Sequence, residues 1–148
     1  MWWCGRAPGW WSDRRGWVVL EAVLARGRAA AERLMVDACT IRRVTSEDGS
    51  DGDGNVIREY EDLYVGPCRV QQTSAQAAQE DVGEDFQLML RLEVHLPMSV
   101  VGLEVGDEVT ITASAHDPDL PSRVFLVRDL AHKTHATARR VGVTERTS

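Results

Sequence analysis

His132 and His135 stand three residues apart in RDLAHKTHATARR, with Arg128 before them and Arg139 and Arg140 after. Two imidazoles at that spacing could share a zinc ion only if residues 131–138 formed a helix, and the ion would still need further ligands such as His116 or Asp117. No Glu lies between the histidines, so the metalloprotease pattern is absent, and the segment reads better as a protein-contact edge whose arginines meet acidic neighbours. Cys68, His95 and Asp107 supply the residue types of a nucleophile, a base and an orienting carboxylate. Nothing local ties them together, and in a chain with three Cys and four His some such triple can always be picked. DGSDGDGN places Asp51, Asp53 and Asn55 in the alternation of a calcium loop, with Asp62 at the twelfth position. The sixth position, where that loop needs glycine, is Val56, and strand-like residues follow, so a solvated hairpin loop is the simpler account. The expectation is therefore no catalytic residue, no metal and no cofactor.

The elements that would carry these residues can be read from the periodicity. Residues 1–16 hold four of the five tryptophans, among them Trp10 and Trp11, along with glycine and proline but no stable period, which predicts an irregular Trp/Arg-rich arm. Over 17–37 the apolar residues Leu20, Val23, Leu24, Ala31, Leu34 and Met35 recur at spacings of three and four, predicting an amphipathic helix with Ser12 and Asp13 as start signals. From 38 onward the period falls to two. CTIRRV and VIREYEDLYVGPCRVQQ read as a hairpin around a polar loop at 45–55, with Gly66-Pro67 marking a bulge or an edge because proline cannot donate to a ladder. A second long loop, small and acidic, covers 73–85. FQLMLRLEVHLPM then alternates so cleanly that Leu88, Leu90, Leu92, Val94 and Leu96 should line a core, with Val109, Ile111 and Ala113 inward on the next strand. RVFLVRDL and ATARRVGVTE supply two more. The fold class expected is mainly β: a small β-barrel of about six antiparallel strands over 38–148, preceded by one N-terminal helix and an arm.

Composition bounds the partners. At 148 residues, 43% hydrophobic and 27% charged, the chain suits one globular core. No segment approaches the roughly 18 apolar residues of a membrane span, and the start lacks the apolar run of a signal peptide. Three cysteines without a CxxC pair fit a reducing compartment. The net charge of −6 conceals a segregation: 1–43 carries +4, 44–108 carries −12 and 109–148 carries +2. An acidic middle disfavours wrapping by nucleic acid, while basic ends favour contact with unlike surfaces.

Three segments taken in order, VLARGRAAAERLMVDACTIRRV, YVGPCRVQ and EVHLPMSVVGLEVGDEVTITASAHDPDLPSRVFLVRDLAHKTHATARRVGV, resemble the head-to-tail stoppers of tailed phages of actinobacteria, also called head-closure or head-completion proteins of the neck. The resemblance runs from about Val23 to Val143 and leaves out the arm. It implies a non-enzymatic β-barrel subunit, assembled in the host cytoplasm and residing in the virion neck as a homo-oligomeric ring of about six or twelve copies. Such a ring closes the DNA channel after packaging, touches the portal and adaptor on one side and the tail terminator and tail tube on the other, and admits genomic DNA to its lumen without sequence-specific binding. It also implies a channel-gating loop between the second and third strands, here 73–85. Glu80, Asp81, Glu84 and Asp85 would repel phosphate there, where arginines would hold it. Trp10, Trp11, Arg128, His132, His135, Arg139 and Arg140 become protein-interface candidates. The alternatives are another neck ring, adaptor or tail terminator, or, from a different class, a small metal-dependent enzyme using His132 and His135.

Overall fold

The structure, a computed structural model, describes residues 14–46, 58–73 and 91–146. One helix, α1 (Arg14–Arg33), leads into six strands: β1 (Asp37–Ser46), β2 (Glu59–Thr73), β3 (Arg91–Leu96), β4 (Glu108–Ala113), β5 (Val124–Ala131) and β6 (Arg139–Glu145). Every strand pairing is antiparallel and the sheet closes on itself in the order β1-β2-β3-β6-β5-β4. The mainly β barrel with one preceding helix is thus present as the alternation predicts.

Closure follows from a repeated motif of buried residues two apart. Cys39 and Ile41 on β1, Val94 and Leu96 on β3, Val109 and Ile111 on β4, Phe125 and Val127 on β5, and Val141 and Val143 on β6 all turn inward, with Cys68 from β2. In a strand, residues i and i+2 share a face, so each of these pairs commits its strand to one side of the sheet. Removing each large side chain from water contributes about 1.5–3 kcal/mol. These side chains form the barrel interior among the described residues.

Several boundaries differ from the sequence reading. The helix starts and stops earlier than 17–37, because after Arg33 the backbone tightens into turns, Leu34 N–H donating to Ala31 O and Met35 N–H to Glu32 O. Asp37 already belongs to β1, where it is buried and accepts the Ser114 hydroxyl at 2.6 Å. Leu92 is only partly buried and Ala113 is exposed, each lying toward a strand end where the barrel wall stops. Leu88 and Leu90 lie outside the described residues, as do the arm with Trp10 and Trp11, the calcium-like positions 51–55 and the acidic residues Glu80, Asp81, Glu84 and Asp85.

At Gly66-Pro67 the edge reading applies locally. β2 pairs with β1 along most of its length, but its ladder with β3 begins only at Arg69. The ladder breaks register elsewhere, at two places: Ile41 faces Tyr64 and Arg42 faces Asp62, leaving Leu63 as the extra residue, and Val44 faces Tyr60 while Ser46 faces Glu59, leaving Thr45 as the second. Gly66 is required by its neighbour, since a Cβ there would lie 2.6 Å from the Tyr64 hydroxyl, which donates to Pro67 O at 2.9 Å. Burial, with the Cys39 and Cys68 thiols near, pushes the Tyr64 phenol up to about 12, so it stays a donor at any ordinary pH.

Candidate interaction surface

His132 and His135 emerge in the connection between β5 and β6, which is a turn and not a helix; His135 adopts a left-handed backbone with φ of 59°. Both are exposed, as are Arg128 and Arg140, while Arg139 is half-buried. The helical spacing that two-histidine ligation needs is absent, and among the described residues no three His, Cys, Asp or Glu side chains gather closely enough for a metal ion. The segment instead borders a shallow groove of about 330 Å³ lined by Met98, His132, Lys133, Ala136 and Arg139 among others. Arg139 borders it, and its Nε is buried with no hydrogen-bond partner among the described residues.

The three residue types of the supposed triad are kept apart. Cys68 points into the barrel at 0% exposure beside Cys39. The Cys39 thiol against it and its burial both push the Cys68 thiol well above its ordinary value, so it stays protonated and inert. His95 lies opposite Arg69 in the register but on the outer face, next to Glu93 at 3.3 Å. Asp107 is held by Arg43, which donates from Nε at 2.7 Å and from Nη2 at 2.9 Å, and that Nη2 also reaches Gly102 O at 2.8 Å. The Arg43 guanidinium is raised above its usual value mainly by this bond. Neighbouring Glu108, also buried, is paired with Arg42 and Arg146. These are ties between strands, not reactive groups.

His95 carries a pH signature. Burial lowers its pKa most; Glu93 opposes that shift, and the flanking Arg140 of β6 and Arg69 of β2 reinforce it. The folded chain therefore binds this proton more weakly than the unfolded chain does, and the contribution is intact above the ordinary value of about 6.5 and lost as pH falls below it. Denaturant midpoints should drop from about pH 6.5 toward 5, before carboxylates titrate, and His95→Gln should flatten that part of the curve.

The helix offers the larger surface. It meets the barrel through its C-terminal half: Gly27 sits so close to the β5–β6 connection that a Cβ would be 2.8 Å from Thr137 Cγ2, Arg28 Nε donates to Ala136 O at 3.4 Å, and Met35 is buried. Gly27→Ala would gain about 1 kcal/mol in a free helix, but here it should lower the melting temperature. In a Thr137→Ser background, which removes the obstructing methyl, the same change should raise it, a non-additivity that thermal denaturation of the four variants would measure.

The remaining apolar side chains of α1 face solvent. Trp17 is 54% exposed, Val18 66%, Val19 63% and Val23 58%, and beyond the helix Leu34 and Val36 are exposed as well. On β2, Tyr60 and Val65 are exposed beside Glu59, Glu61 and Asp62. Sequence periodicity indicated an amphipathic helix but not that it has a second apolar side; the signal was the surplus of apolar residues beyond one stripe, Val18 and Val19 next to Leu20. No described helix is long and apolar enough to cross a membrane.

A family model described as a family of unknown function, DUF6093, matches residues 27–144. No curated protein and no solved structure matches the chain.

Proposed function

The chain belongs to the DUF6093 family, and because that family carries no assigned role, we propose from its surface that it is a structural head-to-tail stopper subunit of a phage neck, forming a ring that closes the DNA channel after packaging and joins the portal and adaptor side to the tail. The observation that carries this reading is the exposed apolar half of α1 on a barrel whose inward side chains are already buried. Its unspent apolar surface calls for protein contact. The resemblance of three ordered segments supplies the kind of assembly, and the stretch it spans nearly coincides with the family match. His132 and His135, exposed in the β5–β6 connection, with Arg128 on β5 and Arg140 on β6, then serve contacts with neighbouring subunits or rings.

The test is localisation followed by loss. Antibody against the chain should label purified virions at the junction of head and tail in electron micrographs, and phage made without the chain should yield packaged heads that release their DNA. Absence of the chain from virions would overturn the reading.

A further inference from the structure

We propose that the outward stripe of α1 in one copy binds the acidic start of β2 in the next copy, a head-to-tail contact between two different patches of the same chain. The helix has two faces. One, with Leu24, Gly27, Ala31 and then Met35, is turned to the barrel. The other follows the spacing four, three, four through Val19, Val23, Arg26 and Ala30, so these residues form one line along the helix, which Leu34 continues in the turn just past its end; all five are exposed. Arg26 within the stripe and Arg33 beside it make its border basic, while Glu21 and Glu32 fall about half a turn away, on the opposite side of the helix.

The complementary patch runs along the first half of β2, from the far end of the β1–β2 ladder inward to Val65, which faces Thr40. α1 runs into the start of β1, whereas Tyr60 pairs with Val44 near the end of β1. The extra residue at Leu63 resets the alternation and puts Tyr60, Asp62 and Val65 on one outer face, with Glu59 and Glu61 exposed around them. Val65 is 69% exposed. The arginines nearby are engaged: Arg42 and Arg146 hold Glu108, and Arg43 holds Asp107. Arg42 also lies over Tyr60, its guanidinium 4.1 Å from the ring centroid, and Arg58 is exposed beside Glu59. Glu59, Glu61 and Asp62 outnumber these cations on the first half of β2, so its excess charge is acidic, against a stripe that is apolar and basic.

Charge decides the pairing. Stripe on stripe would bring Arg26 and Arg33 toward their own copies, and acidic patch on acidic patch is no better. Stripe on acidic patch pairs unlike charges; made once between two copies it leaves a stripe on one and a patch on the other for the next neighbours, the arrangement that propagates into a ring or a filament, whereas made twice across a two-fold it closes as a dimer. The inference rests on the ring-subunit reading for its closure into a ring, whereas the contact itself can be measured in solution.

The experiment uses the full chain and two single variants at exposed positions: Val23→Glu, which places an acid on the basic stripe, and Val65→Arg, which places a base on the acidic patch. Unchanged thermal transitions establish that both are folded. Sedimentation should show concentration-dependent association of the unaltered chain that weakens with salt, and each variant alone should associate at least about tenfold more weakly. Mixing the two variants should produce a heterodimer, since the intact stripe of one meets the intact patch of the other. A chain that stays monomeric, variants that associate normally, or a mixture that forms no heterodimer would each overturn the contact. A heterodimer from a chain absent from virions would keep the contact and remove the neck reading. A chain found in the neck but forming no heterodimer would remove only the contact.

Discussion

Replacing Phe125 by alanine should cost about 3–5 kcal/mol, a large share of what holds a domain of this size folded. Phe125 is the largest of the fully buried side chains among the described residues, 1% exposed, and it stands on β5 between Val109 of β4 and Glu145 of β6 in the register, in the middle of three consecutive strands. Truncation removes the ring from a closed wall that cannot collapse inward without breaking a ladder. Phe125→Leu, which preserves most of the volume, should cost under about 1.5 kcal/mol. Denaturant unfolding would measure both. A small loss for the alanine variant would mean that the barrel interior is not packed as described.

Asp107→Ala is the second large effect. Asp107 is 2% exposed, accepts two hydrogen bonds from Arg43 and takes a third, at 2.7 Å, from the Glu104 backbone N–H. One carboxylate thus ties β1 to the turn that launches β4, across 64 residues of sequence. Its loss should cost about 1.5–3 kcal/mol; Arg43 is open enough to regain water, which keeps the figure below that of a fully buried pair. Asp107→Asn, which retains the acceptor and drops the charge, should fall between. Equal denaturation midpoints for all three proteins would show that the turn holds without this tie.

The barrel was legible because its strands announce themselves. Leu92, Val94 and Leu96 alternate with Glu93 and His95, and the same period returns in Val109 and Ile111 and in Val141 and Val143. Local periodicity says which face of a strand is buried but not which strand is its neighbour, so the β1–β4 and β3–β6 pairings that close the sheet were beyond it. It also cannot tell a helix end from the start of a strand when Leu34, Met35 and Val36 are all apolar; the boundary is set by the Ser114 bond to Asp37, a partner 77 residues away. His132 and His135 illustrate the converse, since a spacing that suits a helix means little in a turn.

The position of β6 has a consequence for how the protein is made. This strand lies between β3 and β5, so until residues 139–145 are available the sheet is an open ribbon with β3 and β5 as its two free edges. During synthesis the barrel therefore cannot close segment by segment: hairpin β1–β2 can form early, but closure waits for β6 to leave the ribosome and slot between partners made before it. Such long-range pairing folds slowly and leaves unpaired edges exposed meanwhile. Nascent chains stalled before residue 139 should be protease-sensitive and prone to aggregate, and chains stalled far enough beyond residue 145 for β6 to emerge should be in the resistant form.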